Sequence, residues 1–186
     1  MTGLREVMRD AFLTASDILL VTRPGSSNDP DIYLALKADG AVIAFNGHVD
    51  LGTGIRTALA QIVAEELDIA FERVEMVLGT TSAVPDQGPT IASETIQVTA
   101  IPLRLAAATA RAHLLAKAAL LHGADAESLL VVQGNIRYGD TSLSYGELIA
   151  GRHERIEINP DVRVKSPDEY QIVGRSQRRN DVAAKA

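Results

Sequence analysis

Cysteine is absent from the 186-residue chain. That excludes disulfides, a cysteine nucleophile and the thiolate ligands that iron–sulfur clusters require. Tryptophan is missing as well, and aromatic residues make up 4% of the chain against a hydrophobic share of 46%. Such a composition is globular, with a core filled by aliphatic side chains and close alanine contacts. A basic footprint is also lacking. The formal net charge is -6, and Lys and Arg are scattered until the Arg-rich C-terminus. Binding to nucleic acid needs clustered cations against phosphate, so that class is set aside. No apolar run is long enough for a signal peptide or a membrane span, and Arg178-Arg179 lies far from the start, where a twin-arginine export signal places its pair. The expected compartment is the cytoplasm.

What is present reads as α+β: hairpins and a small mixed sheet packed against two helices, one long and Ala-rich. Residues 4–22 suggest a short helix and then the apolar step Ile18-Leu-Leu-Val21, with Pro24 to Pro30 as a loop. Asp31–Leu36 and Ala41–Phe45 form a hairpin around Asp39-Gly40. A helix is expected from Ile55 to Leu67, because Ile55, Leu59, Ile62, Val63 and Leu67 share one face; Glu65 and Glu66 fall on its solvated edge. A strand over Arg73–Leu78 follows, and then a long helix over Glu94–His122, kinked or starting late at Pro102 and stopped by Gly123. Leu129–Val132 and Asn135–Tyr138 make a second hairpin, and Ser144 caps a short helix to Ile149. The pattern divides the chain into an N-terminal helix and loop (1–30), an α+β domain (31–150) and a charged extended tail (151–186) that needs a partner surface.

Two loops have the composition for binding chemistry. Gly47-His-Val-Asp-Leu-Gly-Thr-Gly54 sets three glycines between a strand and a helix start, where unpaired amides and the helix dipole favour an anion near Thr53–Arg56. The same spacing also suits a plain tight turn, and it matches neither the Rossmann fingerprint nor a P-loop. Gly79 to Ser93 is rich in hydroxyl and amide groups and runs into the helix start at Ser93-Glu-Thr95, with Ser93 placed as either a cap or a ligand contact. Convergence of the two loops on one ligand is the sharper reading. His48 and Asp50 stand two apart, as an acid/base pair or as exposed turn residues. His113, His122 and His153 lack partners at metal-ligand spacing, so no protein-ligated metal and no catalytic residue is assigned.

Gly47-His-Val-Asp-Leu-Gly-Thr-Gly-Ile-Arg-Thr-Ala-Leu-Ala-Gln-Ile-Val-Ala-Glu-Glu-Leu67 resembles the pattern Gly-x-Val-Glu-x-Gly-Gln-Gly and its following helix in the molybdopterin-binding subunits of the xanthine dehydrogenase/aldehyde oxidase family. Val74–Thr81, Pro85–Thr90 and Ala92-Ser93 resemble the family's second cofactor loop, and Ser144–Leu148 with Val173–Lys185 resemble its isoquinoline 1-oxidoreductase/nicotinate dehydrogenase branch. The resemblance spans residues 31–186.

It implies a molybdenum hydroxylase that hydroxylates an N-heteroaromatic or aldehyde substrate with oxygen from water. The cofactor is molybdopterin with molybdenum, often as the cytosine dinucleotide in bacterial members. Iron–sulfur clusters and FAD belong to partner subunits. Carried onto this chain, the cofactor-binding residues are Gly52, Thr53, Gly54, Ile55 and Arg56, together with Thr90, Ile91, Ala92, Ser93, Glu94 and Thr95. Thr53 stands where the family has Gln, and Asp50 where Glu is usual. A Thr hydroxyl is too short to span the Gln distance without a bridging water. The family's late Gly-Glu motif with the catalytic glutamate and its Gly-Gly-x-Phe-Gly motif are not found in the chain; Gly146-Glu147 belongs to the Tyr-Gly-Glu-Leu match. The chain is then expected to be a separate subunit or an N-terminal fragment forming one wall of the molybdenum site; the implied partners are a larger molybdopterin-binding subunit carrying that glutamate and an iron–sulfur subunit, with the isolated chain inactive. The rival expectations are a non-catalytic structural or assembly subunit and a free-standing small-anion-binding domain.

Overall fold

Strand β1 (Ile18–Thr22) is buried along its whole length, because it lies inside a five-stranded mixed sheet with a covered face on either side. In the computed structural model, which describes residues 11–25, 30–80 and 83–179, the order of this sheet is β4-β3-β2-β1-β8. Its other strands are β2 (Ile32–Lys37), β3 (Val42–Asn46), β4 (Val74–Leu78) and β8 (His153–Glu157). β1, β2 and β3 pair antiparallel, while β3–β4 and β1–β8 are parallel. The period of two sends Leu19 and Val21 to the main core and Ile18 and Leu20 to a smaller one on the opposite face. There Phe12 meets Phe45 edge-on, with ring centroids 5.7 Å apart. Residues 1–10, with most of the helix expected over 4–22, lie outside the described residues, as do residues 26–29 of the expected loop.

Helix α1 (Ile55–Leu67) and helix α2 (Ala100–His122) cover the main face. Buried Ala106, Ala107, Ala110 and Ala118 let α2 lie close against its neighbours. α2 does start late. A π-turn over Thr95–Thr99 precedes it, so Pro102, which has no N–H to donate, falls in the first turn where that donor is not needed. Gly123 ends the helix at φ 61°.

The second hairpin is part of a three-stranded antiparallel sheet, β5 (Leu130–Val132), β6 (Asn135–Tyr138) and β7 (Thr141–Ser144). It leads into α3 (Tyr145–Ile149) through a full capping box: Ser144 Oγ accepts from Glu147 N, and Glu147 Oε2 accepts from Ser144 N at 2.7 Å. Ser144→Ala is therefore expected to lower stability by about 1 kcal/mol, read as a shifted urea midpoint at unchanged slope.

The tail corrects the sequence reading most. Residues 153–157 form β8, beside β1 and at the edge of the sheet, and β1 and β8 lie on the far sides of the boundaries expected at 30 and 150. Glu154 ties β8 to α2 through His113 Nε2 at 2.9 Å and through Lys117 Nζ. Beyond β8, the partner surface that the tail needs is α1 itself. Glu65 and Glu66 are 2% and 1% exposed, not on a solvated edge. One Glu65 oxygen accepts from the amides of Gln171, Ile172 and Val173 at 2.9, 2.6 and 2.9 Å, and the other from buried Lys165 Nζ at 3.1 Å. Glu66 accepts from Arg104 Nε at 2.7 Å and from Lys165 N. The misassignment is physical: the carboxylates look solvated locally because their partners lie far along the chain, from 38 to 108 positions away.

Candidate cofactor site

Parallel pairing of β3 with β4 sets Asn46 opposite Leu78, so both chemistry-bearing loops leave the same end of the sheet side by side. Crevices beyond the carboxyl ends of parallel strands are the usual ligand positions in open sheets. The loops approach so closely that two glycines are required. A Cβ on Gly47 would sit 2.5 Å from the Pro85 carbonyl oxygen, and one on Gly79 would sit 2.2 Å from Val49 Cγ1.

Polar side chains then stitch the loops to the π-turn. Asn46 Nδ2 donates to the Thr99 carbonyl at 3.1 Å, and its Oδ1 accepts from His48 N at 3.0 Å. Gln87 accepts from Gly47 N at 2.7 Å and donates to the Thr99 carbonyl at 3.1 Å. Val49 N donates to Thr90 Oγ1 at 3.0 Å. The π-turn buries both Thr95 and Thr99 while Ile96 and Val98 stay exposed. His48, expected in an exposed turn or paired with Asp50, is wholly buried, with Nδ1 2.8 Å from Thr95 Oγ1. Among the described residues, its buried Nε2 has no hydrogen-bond partner. Asn46, Gln87 and Thr99 escaped the sequence reading. A polar Asn closing a buried apolar strand was the available signal.

Asp50 has a different role from the acid/base one. Its carboxylate accepts from Gly52 N at 2.9 Å, Gly54 N at 3.2 Å and Arg56 N at 3.3 Å. The α1 start thus draws an anion, as its dipole dictates, and that anion is the chain's own carboxylate. Gly52 and Gly54 have φ of 93° and 78°, the left-handed turns that let the loop wrap Asp50.

A cavity of about 370 Å³ opens between the loops. Among the residues carried over from the resemblance, Thr53, Ile55, Thr90, Ile91, Ala92, Ser93 and Thr95 line it, while Gly52, Gly54, Arg56 and Glu94 do not. Ala92 and Ser93 adopt φ of 50° and 59°, unfavourable for residues with a Cβ, in the turn that aims this segment into the π-turn. Hydroxyl-bearing Thr53, Thr90, Ser93 and Thr95 share its walls with apolar Val49, Leu51, Ile55, Ile91 and Ile96. This lining suits an organic group with both hydrogen-bonding and apolar portions. Among the described residues, no group of three or more His, Asp or Glu is placed to hold a metal.

The fold is shared with a Cu,Mo-CO dehydrogenase. The chain superposes on reconstituted CO dehydrogenase from Oligotropha carboxidovorans with a TM-score of 0.56 at 21% identity, covering 78% of this chain and 21% of that one. More specifically, the molybdopterin cofactor-binding domain family model matches residues 17–180, and the chain belongs to that family. It is 51% identical over 156 residues to a subunit of the nicotinate dehydrogenase of Pseudomonas putida, covering 83% of this chain and 13% of that relative. It is 35% identical over 130 residues to the beta subunit of isoquinoline 1-oxidoreductase from Brevundimonas diminuta, covering 65% of this chain and 17% of the relative. The chain thus spans less than a fifth of the length of these two relatives.

Proposed function

We propose that this chain forms one wall of the molybdopterin site of a molybdenum hydroxylase. The observation that carries the reading is the convergence of the Gly47–Gly54 and Gly79–Ser93 loops on one hydroxyl-lined cavity. Thr53, Thr90, Ser93 and Thr95 would hold the group by hydroxyl contacts, with Ile55 and Ile91 against its flat face, and Gly52, Gly54, Arg56 and Glu94 shaping the loops behind them. The bound group supplies the chemistry, the hydroxylation of an N-heteroaromatic or aldehyde carbon with oxygen from water; the chain supplies placement. The form proposed is the cytosine dinucleotide. A larger subunit carries the catalytic glutamate, and an iron–sulfur subunit, with FAD where present, carries electrons away, in the cytoplasm. The functional division follows the sequence: residues 31–150 hold the cofactor loops and the flanking segments complete the sheet.

The occupation of the α1 amides by Asp50 argues against a free-standing small-anion-binding domain, because the donors such an anion would use are taken. No helix among the described residues is long and apolar enough to cross a membrane. Purification from the native source tests the proposal. The chain is expected to travel with a larger partner, molybdenum and a pterin; a monomer without any of them overturns it.

A further inference from the structure

The tail does more than cover α1. After the amides of residues 171–173 dock on Glu65, Gln61 Nε2 on the same helix donates to the carbonyls of Ile172 and Arg175 at 3.0 and 2.9 Å. These contacts fix the direction of the chain as it leaves α1. It runs back to the first cofactor loop, where Arg179 Nη1 donates to the Gly52 carbonyl at 3.3 Å. The guanidinium also lies close to Gly54: a Cβ there would sit 3.3 Å from Arg179 Cζ and 3.4 Å from its Nε and Nη1. Thr53, between these two contacts, is the residue this segment presents to the cavity.

We infer that residues 165–179 form a strap, pinned by Glu65, that makes Arg179 a positioning residue for the cofactor loop. Asp50 holds the loop from within through the amides of Gly52 and Gly54, and Arg179 holds it from without through the Gly52 carbonyl. Both sides of the Gly52–Gly54 peptide run are thus fixed by a charged group, the stronger kind of hydrogen bond. A cation beside the loop also offsets the Asp50 charge at a site meant for a phosphate-bearing cofactor. None of the described residues lining the cavity is a Lys or Arg. This inference rests on the molybdopterin reading.

The test uses the complex purified with Arg179→Ala or Arg179→Lys chains. Three quantities are measured: molybdenum per complex, the rate at which pterin fluorescence appears on dilution, and the melting temperature. Arg179→Ala is expected to release cofactor about tenfold faster, the loss of one charged hydrogen bond. Its melting temperature should stay at the wild-type value, and Arg179→Lys should restore much of the retention. Wild-type retention in Arg179→Ala overturns the inference and leaves the molybdopterin reading intact. Faster release that merely tracks a lowered melting temperature, without rescue by Lys, also overturns it. A wild-type complex devoid of molybdenum and pterin overturns the molybdopterin reading itself, and the inference with it.

Discussion

Glu65→Ala is expected to destabilise the fold by about 3 kcal/mol, the low end of the cost of removing one partner from a buried charged cluster. The substitution strands the amides of Gln171, Ile172 and Val173, which share one carboxylate oxygen, and deprives Lys165 Nζ of one of its two carboxylates. Asp68 remains for Lys165, which is why the cost stays at that end of the range. Urea unfolding reads the loss, and hydrogen exchange should show the amides of residues 171–173 opening first. The same carboxylate gives a pH signature. Burial works to raise its pKa, but the amides of Ile172 and Val173 and the Lys165 ammonium outweigh burial and hold it below the usual value. A depressed carboxylate stabilises the fold fully above its unfolded pKa, about 4.3, and that stability drains away as pH falls toward the lower folded value. In Glu65→Ala this part of the acid limb should be missing.

Gly47→Ala is the second large effect, and it strikes the site. The backbone at Gly47 is not left-handed, so the cost is steric: the new methyl meets the Pro85 carbonyl oxygen at 2.5 Å and the Gln87 amide nitrogen at 3.2 Å. Both are backbone atoms that cannot swing aside. Overpacking of this kind costs about 1–3 kcal/mol. Because the contact is the seam between the two loops, relief comes from parting them, which also breaks the bond from Gly47 N to Gln87. Molybdenum content of the purified complex is expected to fall further than the melting temperature alone accounts for. Gly52→Ala provides the contrast: among the described residues nothing stands within 4 Å of its Cβ, so only the left-handed backbone at φ 93° is strained. Equal losses of molybdenum in the two variants would refute the seam argument.

Much of this molecule was legible in the chain. α1 runs from Ile55 to Leu67 as its apolar spacing demands, and the Asp39-Gly40 turn joins β2 to β3. Local rules suffice where the partners are local. They failed where partners are remote. β8 reads His-Glu-Arg-Ile-Glu, an edge-strand pattern whose charged residues hide its pairing with β1. β7 is four residues long and mostly polar. At the site, the glycines and hydroxyls were visible as a composition, but no sequence rule places one loop beside the other. That follows from the parallel register of β3 and β4, and with it the inward roles of Asn46, His48 and Thr99.

The pairing of β1 with β8 sets the order in which the protein can be finished. Thr22 Oγ1 reaches the Ile156 carbonyl across 134 positions of sequence. A chain emerging from the ribosome therefore presents the β1 edge unpaired until nearly the whole of this domain has been made. Contacts of such separation are slow to form, and an open apolar edge invites association with other chains while it waits. β8 and the strap behind it leave the ribosome together, so the closing of this sheet and the tethering of the Gly52–Gly54 loop become possible at the same moment of synthesis.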